Sequence, residues 1–266
     1  MTGTAPPTDL EYRFVRADRG AECLSPLVFL HEGLGSADLW RAFPDRVRQA
    51  CSARAMLVYS RRGYGRSPIV IEPRTADYMH READVELPVL LAAFGIDRPV
   101  LIGHSDGASI ALLYAGAHRS VESVVVMAPH VFVEPEGLDG VSAARRAFET
   151  TDMGERMARH HLDATSTFRG WNDAWLSDAF RSWNIEDRLP AITAPVLAIQ
   201  GTADRYGTLA QLDAIEARVA GAFRRLVLPD VGHAPHAEAA DETLAAIAAH
   251  VGSATDRSSA SEHRTR

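Results

Sequence analysis

Lysine is missing from this chain: all 28 of its Lys/Arg cations are arginine. Without an amine side chain there is no lysine Schiff base, no pyridoxal-phosphate anchor and no Walker-A phosphate loop. A coding bias that also inflates alanine is the simplest origin. Cysteine is scarce too, with only Cys23 and Cys51. Two cysteines make neither a disulfide scaffold nor a metal-ligand cluster, and a reduced, cytoplasmic protein is the plainest reading. No apolar run approaches the roughly 18 residues that a membrane span requires. The opening MTGTAPPTDLEYRF has no basic region followed by an apolar stretch, so no secretory signal is expected. Positive charge is not in excess: the formal net charge is −7, whereas a nucleic-acid footprint needs a basic face. The expected partner is a small molecule, with no nucleic acid and no membrane involved, and the expected state is monomer or homodimer.

What is present is a globular composition, 46% hydrophobic and 24% charged over 266 residues. At ~150 residues per domain, that length corresponds to about 1.8 domains. One large domain with an insertion fits, as do two small ones. Short apolar runs rich in β-branched residues recur at Leu27–Leu30, Met56–Tyr59, Val100–Ile102, Val124–Met127, Val196–Ile199 and Leu226–Leu228. Unbroken runs of this length suit strands buried on both faces of a parallel sheet. Helical patterns lie between them at Leu39–Ala50, Thr75–Phe94, Ala108–His118, Thr208–Ala220 and Asp241–Val251. The second is expected to be interrupted or kinked near Pro88. The alternation predicts an α/β fold, a mostly parallel central sheet with helices on both faces.

One region breaks the alternation. From Val131 to Leu189 no strand is evident, and Ala143–Phe148, Glu155–His161 and Asn172–Trp183 read as helix. Residues 131–189 are therefore expected to form a helical cap inserted before the penultimate core strand. The core then comprises 1–130 and 190–252. The polar stretch 253–266 reads as a disordered tail.

The strongest chemical signal is Gly103-His104-Ser105-Asp106-Gly107, between the strand PVLI and the helix ASIALLYAG. In that context a G-x-S-x-G pentapeptide predicts a nucleophile elbow, with the serine at a strained turn and its hydroxyl exposed. The helix that starts at Asp106 aims its N-terminal N–H groups at a developing oxyanion. A serine needs a base, and the base an orienting acid. His233, in the loop after the last predicted strand, is the candidate base. Asp204, just past the strand PVLAI, is the candidate acid; Asp230 competes but sits only three residues from His233. The order Ser105, Asp204, His233 and their places at carboxyl ends of strands suit this chemistry. His104 is expected to pack inside. His233 with His236, and His160 with His161, lack a third ligand, so no metal is expected. The cap tryptophans Trp171 and Trp175, and His130 near the cap hinge, are possible pocket residues.

These motifs resemble those of the α/β-hydrolase superfamily, in its cap-bearing serine hydrolase or esterase form. The resemblance runs from about Leu27 to Val251. It rests on Leu30-His31-Glu32-Gly33-Leu34-Gly35-Ser36, on Ser60-Arg61-Arg62-Gly63-Tyr64-Gly65-Arg66-Ser67, on the elbow, on the Asp204 turn and on Gly232-His233. It implies a Ser–His–Asp triad that needs no cofactor, and an oxyanion hole from the amides of Asp106 and Gly33, with Leu34 as the alternative to Gly33. It also implies that the Asp106 side chain can border the pocket, where its charge would repel an anionic substrate unless Arg145, Arg146, Arg156, Arg159 or Arg169 of the cap offset it.

Two departures from the family pattern stand out: Glu32 replaces a usual glycine, and Ser60 replaces a usual aspartate. Glu32 is expected either to pair with Arg61 or Arg62 in place of that aspartate, or to face solvent, or to act in the pocket. The function these features predict is cleavage of a small carboxylic ester through an acyl-enzyme. A carbon–carbon hydrolase of ring-fission products and a non-catalytic receptor on the same fold are the alternatives.

Overall fold

In a computed structural model, which describes residues 8–262 and side-chain surroundings through Ala254, the apolar runs form one seven-stranded sheet. The strands are β1 (Tyr12–Val15), β2 (Leu27–Leu30), β3 (Met56–Tyr59), β4 (Val100–His104), β5 (Ser123–Met127), β6 (Val196–Gly201) and β7 (Phe223–Leu228), in the order β1-β3-β2-β4-β5-β6-β7. All neighbours pair in parallel except β1, which runs antiparallel to β3. Every residue of β2, β3, β4 and β5 is buried. Alternate side chains serve opposite faces: Val28, Leu30 and Leu101 enter one apolar cluster, and Leu27, Phe29, Val100 and Ile102 the other. That period of two explains why the runs are continuously apolar, since each face has its own helical cover.

The helices are α1 (Phe43–Ala50), α2 (Tyr78–Arg81), α3 (Leu87–Ala93), α4 (Asp106–Ala117), α5 (Pro135–Thr150), α6 (Met153–Met157), α7 (Ala164–Trp175), α8 (Ala210–Arg218), α9 (Pro235–Glu238) and α10 (Ala240–Glu262). A π-helical turn, Glu82–Glu86, joins α2 to α3, immediately before Pro88. Proline has no N–H for the carbonyl four residues back, and its ring crowds that carbonyl; the wider turn accommodates both. The break expected near Pro88 thus lies one turn earlier. Helix α4 is buried from Asp106 through Ala115.

Between β5 and β6 lie α5, α6 and α7, followed by 3₁₀ turns at Asp178–Ser182 and Leu189–Ala191. Trp171, Trp175 and Trp183 are all buried there. The insert is tied to the loops after β2 and β3. Leu162 N donates to Gly65 O at 2.9 Å, Thr167 Oγ1 to Gly63 O at 2.8 Å, and His161 Nε2 to Leu34 O at 3.1 Å.

One strand lies outside the expected runs, and one expectation needs correction. Strand β1 was not foreseen; it is a four-residue edge strand, only partly buried, whose Tyr12 and Phe14 rings lean on Phe94 at 4.9 and 5.1 Å. The tail expected from residue 253 is helical as far as Glu262, as a continuation of α10; residues 263–266 lie outside the described residues. The stretch contains no proline, and a polar run prolongs a helix that its buried first half has already nucleated.

Candidate active site

Ser105 stands between β4 and α4 with φ 52° and ψ −118°, a conformation costly for a residue with a Cβ. Its neighbours show why the turn is glycine-rich. A Cβ on Gly103 would lie 2.3 Å from Gly107 O, and one on Gly107 would lie 2.0 Å from Leu30 O. Only glycine lets β2, β4 and α4 approach this closely. The amide of Ser105 donates to Met127 O at 2.9 Å and fixes the turn to β5.

Asp204 follows β6 and His233 follows β7. His233 Nδ1 lies 2.8 Å from Asp204 Oδ2 and 3.0 Å from Oδ1. Gln200 Nε2 and the Tyr206 amide also donate to that carboxylate, each at 2.8 Å. Burial pushes the Asp204 carboxyl up, but the His233 bond and the Tyr206 amide outweigh it and hold it below its usual range. Asp230 is exposed, and its amide donates to Thr202 Oγ1 at 2.9 Å. The His233 loop is clamped by Glu238, which accepts from Gly232 N at 2.8 Å and from Ala234 N at 3.0 Å.

Ser105 and His233 line one cavity of about 100 Å³. The expected residues Glu32, Gly33, Leu34, His130, Trp171 and Trp175 line it as well. Gly137, Val141 and Tyr206 complete it and were not foreseen. The Tyr206 ring lies 4.6 Å from that of His233. The insert crowds the first loop so closely that a Cβ on Gly33 would lie 2.2 Å from Trp171 Nε1. His130 packs edge-on to Trp175 at 5.0 Å; burial, with the neighbouring His233, pushes its pKa down to about 3, so its ring is neutral near pH 7.

Asp106 departs from expectation. Its side chain is fully buried and is not part of the cavity wall. It accepts from Tyr78 Oη at 2.5 Å, and Arg61 Nη1 lies 3.9 Å away. Trp175 Nε1 donates in turn to Tyr78 Oη at 2.9 Å. Burial pushes the Asp106 carboxyl up, against the opposing Arg61 charge. The Asp106 carboxylate is thus turned away from the cavity, toward Tyr78 and Arg61.

Glu32 also pairs differently from the arginine pairing expected. Arg61 Nη2 donates to backbone carbonyls, Glu32 O at 2.9 Å and His31 O at 3.2 Å, and Arg62 pairs with Asp9 at 2.8 Å. The Glu32 carboxylate meets His104 Nδ1 at 3.5 Å instead. A carboxylate does reach Ser60, but it is that of Glu11, which accepts the Ser60 hydroxyl at 2.6 Å and the Arg66 amide at 2.9 Å.

A mostly parallel sheet with a strained serine at the β4–α4 turn is the α/β-hydrolase fold. The alpha/beta hydrolase family model matches residues 27–246, and the chain belongs to that family. Solved structures share the fold at low identity. An alpha/beta hydrolase from a Medee basin deep-sea metagenome library matches at 20% identity and a TM-score of 0.72, over 91% of this chain and 94% of that one. A thermophilic esterase from Thermogutta terrifontis matches at 21% identity and 0.67, over 95% and 97%. The enol-lactonase from Burkholderia xenovorans matches at 22% identity and 0.69, over 91% and 96%. Among curated proteins no sequence matches the chain.

Proposed function

We propose that the chain is a serine hydrolase that cleaves a small carboxylic ester. Ser105 attacks the ester carbonyl carbon, and His233 takes its proton and delivers it to the departing alcohol. Asp204 holds the imidazole in the required tautomer and stabilises its charged form. The amides of Asp106 and of Gly33 or Leu34 serve the tetrahedral oxyanion. Water, activated by His233, then releases the acid. The reading is carried by one observation: a strained Ser105 shares a small cavity with a histidine held through Nδ1 by a buried carboxylate.

The cavity's size favours a short acyl group, since sites for drug-sized ligands run to ~300–1,000 Å³. Its lining weighs against ring-fission dienoates. Among the described residues no arginine lines it: none of Arg145, Arg146, Arg156, Arg159 and Arg169 is there to offset an anionic substrate's charge. The test compares kcat/KM for a neutral short-chain aryl ester and a 2-hydroxy-6-oxo-dienoate. A wild-type protein faster on the dienoate would overturn the ester assignment. Stoichiometric labelling of Ser105 by an organophosphonate is expected; a wild-type protein that stays unlabelled would favour a receptor on this fold.

A further inference from the structure

Beside the elbow lies a second carboxylate–histidine contact that the chemistry above does not use. His104 is buried, at 3% exposure, and directly precedes Ser105. Its Nε2 lies 2.6 Å from the backbone carbonyl oxygen of His233. A carbonyl only accepts, so Nε2 carries a proton. Its Nδ1, also buried, faces Glu32 Oε2 at 3.5 Å and has no other polar partner among the described residues.

A neutral imidazole has one N–H. With that proton on Nε2, the Nδ1 lone pair would point at a carboxylate, which is repulsive and leaves the buried Nδ1 unsatisfied. A second proton on Nδ1 turns the repulsion into an ion pair and strengthens the Nε2 bond to the carbonyl, because charged donors bond more strongly.

We propose that Glu32 and His104 form an imidazolium–carboxylate pair whose task is to position His233 through its backbone carbonyl. This rests on the serine-hydrolase reading of Ser105 and His233. Glu32 comes from the loop after β2, His104 from the end of β4, and the carbonyl from the loop after β7. The pair therefore ties the loop that carries the base to the strand that carries the nucleophile. The remaining groups around His104 are consistent with a single positive charge there. The His236 ring, at 4.8 Å, is pushed by burial down to about 3 and stays neutral. The His233 ring lies at 5.1 Å, and Asp204 adds negative charge beyond it. Burial alone would push His104 down, but Glu32 and the His233 carbonyl reverse this and raise it above its ordinary value. Glu32 is held well below the carboxylate range, burial being outweighed by His104. With the folded pKa raised, the imidazolium is present at lower pH and is lost as pH climbs through that value. Activity is then expected to fall on the alkaline side as His233 loses its hold.

The first test does not depend on turnover. Nitrogen-15 NMR of the imidazole rings in the folded Ser105→Ala protein near pH 7 is expected to show both His104 nitrogens protonated. Adding Glu32→Gln is expected to leave only Nε2 protonated. A single ring proton on His104 in the Ser105→Ala protein would overturn the proposal.

The second test is kinetic. Glu32→Gln is expected to lower kcat about tenfold and to move the alkaline limb of kcat to lower pH by roughly one unit. Glu32→Asp is expected to recover most of both. A Glu32 that merely lines the cavity would change KM and leave that limb in place, and such a result would refute the positioning role. Failure of the hydrolase reading is separable: the wild-type protein would resist the organophosphonate, whatever the protonation of His104.

Discussion

Two carboxylate–imidazole contacts lie close to Ser105, and they are built differently. Asp204 engages His233 through both oxygens, accepts two further N–H bonds and has a side chain only 1% exposed. Glu32 meets His104 through one oxygen at 3.5 Å and is 29% exposed at the cavity wall. The first is a fixed bracket: each Asp204 oxygen contacts the His233 ring and accepts one further N–H, which holds the carboxylate in place against the ring. The second is a contact of charge more than of geometry, and the orientation of the His104 ring is set at its other end, by the His233 carbonyl. Tight bidentate bonding selects a tautomer, whereas a looser ionic contact selects a protonation state. That difference predicts how each pair fails.

The largest effect is expected at Ser105, the proposed nucleophile. Ser105→Ala is expected to fold normally and to lower kcat/KM by roughly 10⁴ or more, as measured on a short-chain aryl ester. Asp204→Asn is expected to lose about 10⁴, because the amide presents the wrong partner to Nδ1. Conversely, a loss of less than tenfold would put Asp204 on the same footing as Glu32 and erase the contrast. The tenfold effect of Glu32→Gln comes next.

Double-mutant cycles sharpen the pairing. Glu32→Gln with Arg62→Met is expected to be additive within about 0.5 kcal/mol in thermal or denaturant unfolding, since Arg62 is bound to Asp9. A larger coupling would restore the arginine pairing that the structure replaces. Smallest of all, Asp230→Asn is expected to leave kcat/KM within about twofold, because that side chain is exposed and the base is held by Asp204. A loss like that of Asp204→Asn would reassign the acid.

Most of this architecture is legible in the sequence. Strands β2 to β6 announced themselves because burial on both faces leaves no room for polar alternation. The elbow was legible because close backbone approach demands glycine at Gly103 and Gly107, and the positions of Asp204 and His233 followed from strand ends. Other features leave little or no trace in sequence. Strand β1 is short and half-exposed, so its Tyr-Arg-Phe-Val reads as loop. Tyr206 reaches the cavity because of the turn after Asp204, and nothing in its type signals that. Glu238 had a faint signal, an acid in the first turn after Pro235 that can reach back to the preceding amides. Glu32 departs from the expected arginine pairing for a specific reason. Arg61 Nη2 is taken by backbone carbonyls, which every residue possesses and no residue type advertises, and Nη1 faces a different carboxylate, that of Asp106.

Two of the chain's four tryptophans, Trp171 and Trp175, stand in the cavity wall, and the Trp175 indole N–H is bonded to Tyr78 while its ring abuts His130. Indole emission responds to polarity and to nearby quenchers. The chain therefore carries its own optical gauge: whatever occupies the space beside Ser105 changes the surroundings of two fluorophores at once. Candidate ligands can be ranked by the change in emission of unlabelled Ser105→Ala protein, in which binding proceeds and turnover does not.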